Sequence, residues 1–160
     1  MDSISFIVAL LLLLSVTSLL LREAKHTVRL PARYESIRSI QAVMARFANQ
    51  ARLGDQDVFE FRVALDEACV NIIEHAYEND PTGEIEVNIQ TLPGMCAISL
   101  TDFGQPFDPR SVPHPMLGIP LEDMKPGGLG LHLMRKMADE VSYTVGRESN
   151  TLLMVKRRSE

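Results

Sequence analysis

Three segments of the 160-residue chain hold residue types that can do chemistry. In "LDEACVNIIEHAY", Glu67 and Asn71 stand four positions apart, so on a helix they project from one face about a turn apart. A carboxylate there can take a proton from a hydroxyl or a water, and an amide oxygen can ligate Mg²⁺ without adding charge. The plain alternative is the wet face of an amphipathic helix, which Glu67, Glu74 and Glu78 would also suit. In "LTDFGQPFDP" a strand ends on Asp102, and Gly104, Phe107 and Asp108 follow. An aspartate at a strand end can accept a hydrogen bond from an exocyclic amine such as that of adenine, and Gly104 leaves room for a flat ring against the backbone. A strand running into a tight turn uses the same residues. In "KPGGLGLHLMRKMADE", Gly127, Gly128 and Gly130 precede an apolar-periodic run. Unpaired backbone N–H groups and the dipole at a helix start suit a phosphate. The segment lacks the Gly-Lys-Ser/Thr of a Walker A loop and the leading strand of a dinucleotide fingerprint, so alone it marks only a helix start.

The elements that must position these residues follow from periodicity. "KHTVRLPA" alternates as a short strand that stops at Pro31. Ile37, Ile40, Met44 and Phe47 form one helical stripe; Gly54 closes that helix, and Asp55 or Asp57 can cap the next. The second helix, about 56 to 79, carries Val58, Phe61, Leu65, Ala68, Cys69, Ile72 and Ala76 on one broad face. Opposite them gather Glu60, Glu67, Asn71, Glu74 and Glu78. After the turn cluster "NDPTG" come two strands, "EIEVNIQTL" and "MCAISLTDFG", joined by "PG" at 93–94. A Pro-rich stretch between Gly104 and Pro126 is long for a compact domain, and such loops tend to be functional. The glycine segment opens a third helix, and "VSYTV" and "TLLMVKR" finish as strands around "GRESN". The order β-α-α-β-β-loop-α-β-β predicts an α/β two-layer sandwich: a mostly antiparallel sheet of about five strands covered by about three helices.

Composition bounds the rest. A net charge of −5 gives no reason to expect direct nucleic-acid binding, and "KRR" at 156–158 reads as a solvated tail. Cys69 and Cys96 lie in apolar-patterned segments and read as buried, reduced thiols. Ile4 to Leu21 is an uncharged run of 18 residues, about 27 Å as a helix, just enough to cross a bilayer core. Residues 1–21 are therefore a membrane anchor or lie upstream of a misassigned start. In the anchored case Arg22 and Lys25 put the remaining domain, 26–160, in the cytoplasm.

The three segments in this order, E-x-x-x-N on a helix, D-x-G-x-x-F-D after a strand, a lid-length loop, then G-G-x-G-L opening a helix, resemble the N, G1 and G2 boxes of the GHKL ATPases. "ALDEACVNIIEHAYE", "DFGQPFDP" and "GGLGLHLMRKMADEVSY" are similar to the anti-sigma-factor serine/threonine kinases, small stand-alone versions of that fold. The resemblance implies ATP and Mg²⁺, with Asn71 holding the metal against the phosphates and Glu67 as the base toward the acceptor hydroxyl. It implies Asp102 at the adenine amine, Gly104 under the ring and Thr151 on a late strand completing that end. Gly127, Gly128, Gly130 and Leu131 would bring backbone amides to the phosphates, 109–126 would be the ATP lid, and Lys125 could reach a phosphate from it. His75 matches a family position too, which at the edge of the helix's polar face implies a supporting or structural role rather than chemistry.

The implied reaction transfers the γ-phosphoryl of ATP to a serine or threonine of a STAS-type anti-anti-sigma protein. The same kinases sequester a sigma factor, and their partner contacts use the first helix, where Arg38 and Arg46 are candidates. Homodimerisation stays open, as does a membrane tether through 4–21. The alternatives are a non-catalytic ATP-binding module that sequesters a partner, and a histidine-kinase ATP-binding domain. The latter needs a helix bearing a phospho-accepting histidine, and only His26, in a strand-like context, lies between Leu21 and Glu67 ahead of the N box.

Overall fold

A computed structural model describes residues 24–106 and 128–160. The apolar segment 4–21, Lys125, Gly127 and the expected lid 109–126 lie outside the described residues. Among those described, no helix is long and apolar enough to cross a membrane.

The elements run β1 (Ala24–Pro31), α1 (Tyr34–Gln50), α2 (Asp55–Asn71), a π-helical turn (Ile72–Ala76), β2 (Glu84–Leu92), β3 (Met95–Asp102), α3 (Gly128–Met137), β4 (Glu140–Val145) and β5 (Asn150–Arg157). The sheet order is β1-β2-β3-β5-β4 and every pairing is antiparallel. Alternation decides which face is covered. Ile85, Val87 and Ile89 of β2, Cys96, Ile98 and Leu100 of β3, and Leu152 and Met154 of β5 point to the helices and are buried. The intervening residues, among them Asn88, Gln90, Ser99, Thr101, Thr151 and Ser142, line the polar open face.

Each helix buries its predicted stripe. Ile40, Met44 and Phe47 of α1 and Phe61, Leu65, Ala68 and Cys69 of α2 join one core. Both cysteines are unpaired and buried, which pushes the Cys96 thiol up to about 12 and Cys69 higher still. Gly54 caps α2, and the Asp57 carboxylate accepts the Gly54 N–H at 3.2 Å. Gly94 turns the β2–β3 hairpin at φ 76°, a left-handed conformation that favours glycine.

Two expectations change. The helix expected to run to 79 is α-helical only to Asn71; it then widens, with Tyr77 N–H bonding Ile72 O at 3.1 Å, before Glu78 and Asn79 turn left-handed at φ 51° and 64°. "KRR" is not a solvated tail throughout. β5 continues into it as far as Arg157, and the strand turns Lys156 inward, where it is 5% exposed. Its Nζ donates to Glu60 Oε2 at 2.5 Å and to Met137 O at 3.1 Å. Glu60, expected on the wet face of α2, is thereby engaged.

Candidate functional site

α2 ends on Asn71 and β3 ends on Asp102, and both residues line one largely apolar pocket with Ala68, Ile72, Ala76, Met134, Tyr143 and Leu152. The packing of α2 against α3 and of both against the sheet therefore unites residues that are far apart in sequence. Glu67 lies one turn before Asn71, half-buried on the side that meets α3. A Cβ placed on Gly130 would stand 2.2 Å from Glu67 Oε2, so any larger residue there would displace the carboxylate from this position. Burial, then the neighbouring Asp66 and Glu74, hold the Glu67 carboxyl above its ordinary value. Such a group is a better base than a solvated glutamate. Leu131 and Met134, both buried, anchor the first turns of α3 to the core.

α1 fixes the acids that flank Glu67. Tyr34 donates its hydroxyl to Glu74 Oε1 at 2.7 Å, and Gln41 donates its amide to Asp66 Oδ1.

Asp102 is 2% exposed. Its Oδ1 accepts the Asn150 side-chain amide at 2.9 Å and the Gly104 N–H at 3.1 Å. Burial raises its pKa, and these two bonds pull it partway back. Gly104 meets backbone in this structure. A Cβ there would lie 2.2 Å from the carbonyl oxygen of Ala76, because the loop after β3 docks on the π turn, where Gln105 N–H also bonds Ala76 O at 2.8 Å. The glycine accommodates backbone against backbone. Tyr77 completes the joint, its hydroxyl donating to Glu84 O at 2.6 Å and accepting the Phe103 N–H at 2.9 Å.

Thr151 does not reach the pocket. It pairs with Thr101 in the ladder, and their hydroxyls meet at 3.0 Å on the open face of the sheet. The strand period gives the inward place to Asn150, which sequence reading missed. The signal was present: Leu152 and Met154 face the core, so Asn150 must too. Gly128 begins α3. His75 is exposed on the π turn, and Arg38 and Arg46 are exposed on α1, the Arg46 guanidinium 5.3 Å from the centre of the Phe47 ring. His26 lies in β1 with its ring 5.8 Å from that of Phe47, in a strand rather than on a helix.

The donor set fits a magnesium nucleotide. The described residues contain no group of three or more His, Cys, Asp or Glu that could hold a metal by themselves. A single amide oxygen at Asn71 suits Mg²⁺, which keeps waters and substrate phosphates as its other ligands.

A family model described as the histidine kinase-like ATPase domain matches residues 30–156. The serine-protein kinase RsbW of Bacillus thuringiensis strain Al Hakam is 32% identical over 139 residues, covering 84% of this chain and 86% of that protein. RsbW of a Bacillus cereus strain is 32% identical over the same length, with the same coverage of both chains. The crystal structure of the RsbU and RsbW domains of Rv1364c from Mycobacterium tuberculosis superposes with a TM-score of 0.60 at 19% identity. It matches 86% of this chain, which spans 33% of that longer one, and it speaks for the fold alone. With a five-stranded antiparallel sheet and three α-helices among the described residues, and with these relatives, the chain belongs to the histidine kinase-like (GHKL) ATPase family, alongside the RsbW serine-protein kinases.

Proposed function

We propose that this protein is an ATP-dependent serine/threonine protein kinase and anti-sigma regulator. It phosphorylates a STAS-type anti-anti-sigma partner and sequesters a sigma factor in the cytoplasm, with segment 4–21 as the candidate tether to the membrane. The observation that supports it best is that Asn71 and Asp102 line one pocket while Glu67, one turn before Asn71, faces the first turn of α3 with Gly130 pressed against it. A non-catalytic module that binds ATP and sequesters a partner needs the pocket but has no use for a half-buried carboxylate with a raised pKa beside Gly130.

Adenine enters the apolar pocket with its amine toward Asp102, and the triphosphate runs toward the first turn of α3. Asn71 would hold a Mg²⁺ ion, which when bound would neutralise phosphate charge. Glu67 takes the proton of the acceptor hydroxyl as its oxygen bonds the γ-phosphorus, and the bond to the bridging oxygen of ADP breaks. Little covalent work falls to the protein; positioning and charge neutralisation supply most of the rate. Gly127, Lys125 and the lid 109–126 are assigned to the phosphates in the same reading, and Gly128, Gly130 and Leu131 supply helix-start amides.

Incubation of the full chain with γ-labelled ATP, Mg²⁺ and a STAS-domain protein tests this. Label on a serine or threonine of the STAS protein, lost in Glu67→Gln, is the expected result. Tight ATP binding without transfer to any STAS partner would favour the sequestering module instead.

A further inference from the structure

Asn150 is a buried polar side chain with no task in the phosphotransfer proposed above. It opens β5, stands opposite Asp102 across the β3–β5 ladder and is 2% exposed. Its Nδ2 lies 2.9 Å from Asp102 Oδ1, 3.3 Å from Gly104 O and 3.5 Å from Gln105 O. A carboxylate and two carbonyls are all acceptors, so chemistry fixes which end of the amide faces them. The inward positions after it, Leu152 and Met154, are apolar, and a leucine at 150 would continue the pattern. A buried amide instead carries a desolvation cost that only its hydrogen bonds offset.

Those bonds have a consequence for Asp102. Oδ1 receives two N–H groups, from Asn150 and from Gly104, so its lone pairs are occupied. The other oxygen is the one offered to a ligand in the pocket that Asp102 lines. Burial raises the Asp102 pKa, and the two donors work against that rise, so they favour the ionised, acceptor-only form. An acceptor takes an amine and repels a carbonyl.

Building on the ATP site proposed above, on which it rests, we propose that Asn150 is the positioning residue that sets purine choice: it holds Asp102 as an acceptor aimed into the pocket, so the site takes a 6-aminopurine nucleotide over a 6-oxopurine one. Asn150 acts through Asp102 and does not touch the base. Without the amide, the carboxyl can turn and carry a proton, and a protonated carboxyl donates to a carbonyl, so the 6-oxo base gains a partner.

ATP and ITP, which differ at purine position 6, are the probes, each titrated calorimetrically with Mg²⁺ into the full chain. The wild type should prefer ATP by about tenfold or more, and Asn150→Ala should reduce that preference by about tenfold, the scale of one hydrogen bond to a charged group. Asn150→Thr keeps a donor and should recover most of the preference. Asn150→Leu matches the strand pattern and serves as the second relaxed variant if alanine unfolds the chain. Equal losses for both nucleotides, with the ratio unchanged, would reduce Asn150 to a packing role and overturn the inference. A wild type that binds ATP and ITP equally overturns it too, while leaving the ATP site standing. A wild type that binds neither overturns the ATP site itself.

Discussion

Glu67 has Asp66 and Glu74 as acidic neighbours, and α1 holds both of those acids in place through Gln41 and Tyr34. A base kept partly out of water and near like charges loses its proton only at a higher pH than a free glutamate, so its pKa is raised. The transferring form is the ionised one. The acid limb of the kcat/KM profile should therefore lie above the ordinary glutamate value of 4.5, and it should vanish in Glu67→Gln along with roughly 10²–10⁴-fold of the rate, ATP affinity being kept. The stability sign is opposite. A raised folded pKa favours the protonated folded state, so the benefit is present below the unfolded pKa and lost as pH rises through the folded one. At pH 7 the ionised Glu67 costs stability, and Glu67→Gln should melt higher than the wild type while failing to transfer phosphate. A lower melting temperature for that variant would show that the carboxylate is not under strain.

At the scale of elements, two glycines that look alike in sequence meet different neighbours. The Gly104 Cβ direction points at the backbone carbonyl of Ala76, which cannot move without unmaking the π turn. Gly104→Ala should cost about 1–3 kcal/mol in urea unfolding and loosen the Asp102 end of the pocket. The Gly130 Cβ direction points at the tip of the Glu67 side chain, which can rotate away. Gly130→Ala should leave stability unchanged or improve it by up to about 1 kcal/mol through helix propensity. Its phosphotransfer should fall about tenfold or more, because the base is pushed from its place. Steady-state rates beside melting curves separate the two cases. The glycines were legible as features of a loop and a helix start. Which one guards backbone and which one guards a carboxylate depends on the π turn and on α3, and neither neighbour is local in sequence.

Across the whole molecule the two ends of β5 do separate work. Asn150 meets the pocket; Lys156, six residues or about 20 Å further on, ties β5 to α2 through Glu60 and to the end of α3 through Met137 O. Lys156→Met leaves Glu60 with Gln56 as a partner but without its countercharge in a part-buried place and should cost roughly 2–3 kcal/mol by chemical denaturation, with ATP affinity unaffected. The hydrogen bond from Lys156 holds the Glu60 pKa below its ordinary value of 4.5. A lowered folded pKa means that this stability is present above the unfolded value and lost as pH falls through the folded one. The gap between wild type and variant should thus be full at pH 7 and close only below about pH 4.5.

Periodicity alone specified the stripes of α1 and α2, the strand order along the chain and the spacing of Glu67, Asn71, Asp102 and Gly130, because each of these is written in residues near one another. Tertiary structure decided the rest. Strand register put Asn150 rather than Thr151 beside Asp102, since one residue along a strand is the difference between the two faces of the sheet. It also took Lys156 out of water and gave Gly104 to Ala76, both of which depend on what lies across from a residue and not on what precedes it.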